Sequence, residues 1–344
     1  MSKVLITGMS GTGKSTVLSL LASRGHRVVD TDTDEWSHWV TQPDGSADWI
    51  WRPDAITALL TDHRQGSLFV AGCKSNQGTF YPLFDHIALL SAPADVLLSR
   101  IATRTTNPYG KTPEQRADIL RYAAEVEPLL RATATIEIDA TQPLPRVVRE
   151  IESLIWDSVL LARHGQTQWN VARRRQGQLD SPLTPVGLEQ AHRHAATLET
   201  HPIDGIFTSP QGRAHTTAEI IGAHLGRPVQ IIDELAELHH GSYAGLTNAE
   251  INARYPGELA SRAADKYEWR FPGGESYADA DVRAGQALAR IASRHPLIVT
   301  HEMIGRMLQR HLLDLDPAAA LTTTHPQDIV YEIDPSTRTR RDIR

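Results

Sequence analysis

The chain of 344 residues has a single cysteine, Cys73. A lone thiol cannot close an internal disulfide, which excludes the cystine-stapled secreted scaffolds and points to a reducing compartment. It also lacks an apolar run long enough for a signal h-region or a membrane span, and its first residues enter a strand pattern directly. The expectation is therefore a cytoplasmic protein with no membrane partner. Missing too is an excess of positive charge: 35 Lys and Arg stand against 41 Asp and Glu, for a net charge of −6. That balance argues against a general partnership with nucleic acid polymers. No internal repeat or low-complexity segment interrupts the chain. What is present is enough length for two cores.

Short branched apolar runs alternate with helical patterns throughout, as in parallel sheets covered by helices. The reading is an α/β chain of two domains, residues 1–156 and 157–344, each a mainly parallel sheet flanked by helices. The first run, VLIT at residues 4–7, leads directly into GMSGTGKS at residues 8–15, a complete G-x-x-x-x-G-K-S. In that pattern glycines such as Gly8, Gly11 and Gly13 let backbone N–H groups wrap phosphates. Lys14 reaches the β- and γ-phosphates, and Ser15 and Thr16 open the helix, with the Ser15 hydroxyl on Mg²⁺. Residues 27–34 read as a second strand ending in three carboxylates, Asp30, Asp32 and Asp34. A carboxylate there can hold Mg²⁺ or accept a proton from a substrate hydroxyl.

Residues 98–111 are basic, polar and broken by Pro and Gly, as a lid would be, with Arg100 and Arg104 one helical turn apart. Trp36, Trp39, Trp49 and Trp51 cluster in the segment expected to form an acceptor-binding flap. They either stack on an acceptor ring or staple a small helical subdomain to the sheet, and the structural reading is favoured. Over residues 1–155 these features resemble the small P-loop kinases of the shikimate or nucleotide kinase type. The resemblance implies ATP and Mg²⁺ as cofactors and Asp32, with Ser15, as the metal-side residue.

In the second half, LLARHGQT at residues 160–167 places a guanidinium and an imidazole at the end of a buried strand. An imidazole there can attack phosphorus, and paired N–H donors of Arg163 can neutralise phosphoryl oxygens. SPQGRAHTTA at residues 209–218 adds Arg213, ELHHG at residues 237–241 adds Glu237, and IVTHE at residues 298–302 adds His301. Together these blocks resemble the histidine phosphatase superfamily, also called the phosphoglycerate mutase-like family. The resemblance implies a phosphoglycerate mutase-like fold with His164 as nucleophile and Arg163, Arg213 and His301 on the phosphoryl group. It further implies Glu237, kept protonated, as the acid, Asn170 as a further phosphate contact, and no cofactor for this half.

Residues 255–277 further resemble the phosphatase domain of the bifunctional 6-phosphofructo-2-kinase/fructose-2,6-bisphosphatases. By that likeness Arg262, Lys266, Tyr277 and Arg306 hold the sugar and its second phosphate. Three positions depart from it: Gln166 stands for a glutamate, Asn248 for a tyrosine and Glu302 for a neutral amide. An extra anion at Glu302 is expected to repel a bisphosphate. The functional reading is a fused small-molecule kinase and histidine phosphatase, taking ATP and small phosphorylated metabolites as partners and leaving self-association open. Two alternatives stand beside it: a phosphatase regulated by a non-catalytic P-loop module, and a mutase moving phosphate between hydroxyls.

Overall fold

Branched side chains fill the short buried strands, and the amphipathic segments between them wind into helices that cover both faces. The computed structural model describes residues 2–64, 66–104 and 110–344. The chain divides into two compact units, Met1–Ile155 and Trp156–Arg344.

The first unit runs through β1 (Lys3–Thr7), β2 (Arg27–Asp30), β3 (Ser37–Thr41), β4 (Ala47–Trp51), β5 (Leu68–Ala71), β6 (His86–Ser91) and β7 (Ile136–Asp139). Among the described residues its main sheet is wholly parallel, in the order β2-β5-β1-β6-β7. Burial of Val4, Leu5 and Ile6 at 0% exposure explains why β1 reads as a continuous apolar run. Just beyond it, Gly8 takes φ 144°, and a Cβ there would lie 2.3 Å from the Leu90 carbonyl oxygen. Only glycine can make that turn, which delivers the chain to the helix Lys14–Ser23.

The tryptophan-rich segment departs from expectation, because it is a β-hairpin and not a helical subdomain. β3 and β4 pair antiparallel around Pro-Asp-Gly-Ser, with Gly45 at φ 83° and Asp44 accepting from the Ser46 N–H and hydroxyl. The turn chemistry and the alternation in Ala47–Trp51 outweighed helix propensity. Trp51 is fully buried and meets Phe80 edge-on at 5.5 Å, whereas Trp39 is 68% exposed and pairs with Trp49 across the strands. The four aromatics thus divide: Trp51 and Trp36 belong to the core, Trp39 and Trp49 to the hairpin's outer face.

The second unit contains β8 (Val159–Arg163), β9 (Gly205–Thr208), β10 (Val229–Ile231), β11 (Pro296–Thr300), β12 (Val330–Asp334) and β13 (Thr339–Ile343). Its sheet order is β10-β9-β11-β8-β12-β13, parallel from β10 to β8, with β12 and β13 antiparallel at one edge. Val159, Leu161 and Ala162 are buried at 0% exposure. β8 and β11 pair directly, with Arg163 opposite Thr300, so the residues that follow them emerge side by side.

Since Trp51 is enclosed and Trp39 is not, Trp51→Ala should cost about 3–5 kcal/mol and Trp39→Ala less than about 0.5 kcal/mol. Urea unfolding followed by circular dichroism measures both; equal losses would mean that burial does not separate the two.

Candidate functional site

In the second unit, the parallel register sets the two imidazoles next to each other. The His164 N–H donates to the Thr300 carbonyl at 2.9 Å, and the rings of His164 and His301 lie 5.2 Å apart between centroids. Gly165 follows because the backbone of Gly187 comes so close that a Cβ would sit 2.2 Å from its oxygen. The His164 ring is oriented from both sides. Its Nδ1 is 2.7 Å from the Gly165 carbonyl, which can only accept, so Nδ1 carries the proton. The Arg213 Nε–H donates to Nε2 at 3.3 Å, so Nε2 presents its lone pair to the cup.

Arg213 opens the helix Gly212–Leu225 and is 2% exposed. Its remaining N–H groups donate to the carbonyls of Gly177 and Leu179, both at 2.8 Å, and to Asp180 at 3.0 Å. His301, also fully enclosed, has Nε2 2.7 Å from the Ser209 hydroxyl. That hydroxyl gives its own proton to Gln211 Oε1, so the His301 Nε2 is the donor. Burial holds both imidazoles well below the ordinary histidine range, reinforced at each by Arg163 and Arg213. The nucleophile candidate is therefore neutral.

Glu237 is 6% exposed and seated as an acceptor. Oε1 takes the N–H groups of Leu238 (2.9 Å) and Ile304 (3.0 Å), and Oε2 takes that of Met303 (3.1 Å). Two of these donors are first-turn amides of the helix Glu302–Leu313. Three backbone N–H groups thus address its oxygens, two on Oε1 and one on Oε2.

Arg163 and Glu302 bear on a second expectation. Arg163 Nη1 donates to Glu302 Oε2 at 2.5 Å and to the His325 carbonyl at 3.1 Å, while Arg306 Nη2 donates to Glu302 Oε1 at 2.6 Å. Glu302 is a strut between two guanidiniums and not the loose repelling anion expected. His325, which sequence reasoning missed, donates from Nδ1 to the His301 carbonyl at 3.0 Å and stacks on Tyr331.

The remaining residues expected at the substrate have the following neighbours. Arg306 Nη1 donates to the Tyr277 hydroxyl at 2.9 Å, Lys266 lies 5.8 Å from the Tyr277 ring centroid, and Arg262 lies over Phe271 at 5.4 Å. Tyr277 is buried, and that burial raises its hydroxyl above the ordinary phenol range. Asn170 is the third residue of the capping box that opens the short helix Gln168–Val171, where Thr167 is the cap: its Oδ1 accepts from the Thr167 N–H and hydroxyl and from Gln327 Nε2.

In the first unit, Ser10, Gly11, Thr12, Gly13, Lys14, Ser15, Thr16, Asp32, Arg100 and Arg104 line a cavity of about 500 Å³. Gly11 and Gly13 adopt φ 92° and 96°, and Lys14 Nζ donates to the carbonyls of Gly8 (2.7 Å) and Met9 (3.2 Å). Burial lowers the Lys14 ammonium from its ordinary range. The carboxylate at Ser15 is that of Asp30, which takes the hydroxyl proton at 3.0 Å; Asp32 pairs with Lys74 instead. Because β2 ends at Asp30 and not four residues later, Asp30 is the carboxylate that reaches Ser15, while Asp32, expected with Ser15 on the metal side, lines the same cavity beside Lys74. Arg100 donates to the Ala140 carbonyl at 2.8 Å and Arg104 to the Ser10 hydroxyl at 3.2 Å, so both turn toward the loop. Residues 105–109 of the expected lid lie outside the described residues. No described helix is long and apolar enough to cross a membrane.

Comparison with known proteins follows the same division. The family described as "Histidine phosphatase superfamily (branch 1)" matches residues 159–341, and the one described as "AAA domain" matches residues 4–121. Glucosyl-3-phosphoglycerate phosphatase of Mycobacterium tuberculosis is 36% identical over 138 residues, 40% of this chain and 61% of that protein. The probable phosphoglycerate mutase GpmB of Yersinia enterocolitica is 39% identical over 168 residues, 47% of this chain and 77% of its own. The chain thus spans about three fifths of the first relative's length. A solved Escherichia coli structure, described as a candidate alpha-ribazole-5'-P phosphatase, superposes with TM-score 0.51 at 24% identity, covering 54% of this chain and 94% of that one. It shares the fold of the second unit.

The buried imidazoles set a pH dependence. His164 and His301 lie well below, and His240 and His325 are pushed down to about 3, against about 6.5 in an unfolded chain. A depressed histidine contributes stability above the unfolded value, and loses it as pH falls toward the folded one, because the unfolded chain takes up protons first. Urea midpoints should fall steadily between pH 7 and pH 5. Nitrogen-15 imidazole spectra should show His164 Nε2 unprotonated over that range, and a protonated ring at pH 6 would contradict the geometry.

Proposed function

We propose that this chain, which belongs to the histidine phosphatase superfamily, hydrolyses a small phosphomonoester through a phosphohistidine in its second unit. We further infer that its first unit transfers the γ-phosphoryl group of ATP to a small hydroxyl acceptor. The observation that carries the phosphatase reading is the orientation of His164: Nδ1–H is tied to a carbonyl and the Nε2 lone pair faces Arg213.

In this reading His164 Nε2 attacks phosphorus while Arg163, Arg213 and His301 hold the phosphoryl oxygens and spread the developing charge. The bond from phosphorus to the ester oxygen breaks, and that oxygen takes a proton from the acid form of Glu237. The Glu237 carboxylate then takes a proton from water, the hydroxide attacks the phosphohistidine, and phosphate leaves with His164 restored. Free phosphate as the product separates this chemistry from a mutase, whose product is an isomeric phosphoester.

The residues of the P-loop unit fit a nucleotide. Glycines at positive φ open the loop backbone, the Lys14 ammonium is held on carbonyls at its mouth, and Ser15 stands beside Asp30. ATP with Mg²⁺, when bound, would supply the transferable phosphoryl group. Lys14 would hold its phosphates and Ser15 with Asp30 the metal side, while Arg100 and Arg104 would offer cations at the cavity wall. Asp32, paired with Lys74 at the edge of the same cavity, would accept the acceptor's proton.

His164→Ala should reduce phosphate release from p-nitrophenyl phosphate by at least about a thousandfold and abolish acid-labile phosphoenzyme; a fully active variant would remove the nucleophile. Glu237→Gln should cost about 10²–10⁴-fold on alkyl phosphates and less on p-nitrophenyl phosphate, whose leaving group needs no proton; equal losses would deny the acid role. Lys14→Ala should abolish acceptor-stimulated ADP formation. Tight ATP binding without any turnover in the unsubstituted protein would instead make the P-loop unit a nucleotide sensor.

A further inference from the structure

The loop that fixes Arg213 carries another guanidinium that the phosphoryl cup does not use. Two residues before Gly177, whose carbonyl accepts from Arg213, the backbone of Arg175 is fastened on both sides. Its N–H donates to the Leu246 carbonyl at 3.0 Å and its carbonyl accepts from the Gly245 N–H at 2.7 Å. Such a double clasp fixes the backbone from which the side chain leaves. The Arg175 side chain is half-buried, and its Nη2 donates to Asn248 Oδ1 at 3.0 Å. Its Nε is buried without a hydrogen-bond partner among the described residues.

The surroundings do not cancel this charge. Asn248 is neutral, and the groups that act electrostatically on Arg175 are another cation, Arg262, and the phenols of Tyr243 and Tyr277. Arg262 in turn feels Arg306, and Lys266 feels both. Two carboxylates reach this group: Glu302 is already shared between Arg163 and Arg306, and Glu237, which acts on Tyr277 and Arg306, is seated on three backbone N–H groups. His240 stacks on Phe271, the ring over which Arg262 lies, and burial, then Arg175, Arg262 and Arg213, lower its pKa. Like charges carried on half-buried side chains repel one another and resist desolvation, and an arriving anion relieves both penalties.

We propose that Arg175, held by Asn248, completes a subsite for a second anionic group on the substrate, a phosphate or carboxylate remote from the scissile phosphate. Arg175 is then a specificity determinant: it makes the His164 site prefer doubly charged phosphoesters over simple ones. The proposal rests on the phosphatase reading for the identity of the cup, but its test does not require turnover.

In the full-length His164→Ala protein, calorimetry would give Kd for fructose 1,6-bisphosphate, 3-phosphoglycerate and fructose 6-phosphate. Adding Arg175→Gln should lower the preference for the doubly anionic ligands over fructose 6-phosphate by about 10–100-fold, as loss of a charged hydrogen-bonding partner does. Arg175→Lys, which keeps the charge, should retain most of that preference. Asn248→Ala should lose a smaller share, since it acts only by positioning the guanidinium. A fall with either doubly charged ligand supports the subsite, and the larger fall identifies phosphate or carboxylate as its anion. An unchanged ratio, or a protein that shows no preference before substitution, overturns it. Failure of the phosphatase reading would show separately, as no phosphate release from p-nitrophenyl phosphate by the unsubstituted chain.

Discussion

The second unit depends on one pairing, the parallel ladder between β8 and β11. Because Leu161 stands opposite Ile298 and Arg163 opposite Thr300, the ladder ends with His164 and His301 leaving the sheet at the same level. Side chains on a strand alternate faces with period two, so a slip of one residue would turn His164 away from His301 and bury a guanidinium in the core. The fully enclosed Leu161, Ala162, Ile298 and Val299 make that slip costly, and in this way an apolar core specifies a polar site.

What the ladder aligns, backbone amides and carbonyls then hold. Glu237 is seated by three N–H groups, Arg213 by two carbonyls and Asp180, and the His164 and His325 rings by a carbonyl each. Apart from Asp180, these partners are backbone groups that cost no side-chain entropy and cannot change protonation state, so the site is organised in advance. Glu302 plays the opposite part. It spends its charge on Arg163 and Arg306 together, which keeps two cations close enough to share one anionic ligand.

Much of this was legible in the sequence, and the reason is geometric. His164, His301 and Lys14 each follow a branched apolar run, and in parallel sheets the chain just past a strand's carboxyl end is where ligands bind. The misreadings share a different cause. Asp30 and Asp32 are two residues apart beyond the same run, and which one meets Ser15 depends on where β2 stops, a boundary that composition does not mark. The Trp segment has a turn signal at Pro43-Asp44-Gly45, but aromatic residues are ambiguous between helix and strand until that turn is weighed first. Glu302 read as a repelling charge because its two partners lie 139 and 4 positions away, and only folding shows both on one carboxylate. Arg175 and His325 carry no local signature at all; their positions matter only through Asn248 and the His301 carbonyl.

Both units gather phosphoryl-binding groups at the ends of parallel strands, yet they neutralise charge by different means. The P-loop relies on glycines whose missing side chains expose the backbone, with Lys14 and a pair of carboxylates nearby. A site with carboxylates at its edge gains from a divalent cation between them and the phosphate. The cup around His164 instead has Arg163 and Arg213 against its imidazoles, and the three carboxylates near it are already bonded, Glu237 to amides, Glu302 to guanidiniums and Asp180 to Arg213. In the proposed reactions, fixed positive charge there would serve the purpose that a metal ion would serve in the P-loop. Burial first, and then Arg163 and Arg213, keep the His164 imidazole from taking up a proton, so in the proposed reaction the guanidiniums that would hold the phosphate also help to keep the attacking nitrogen free.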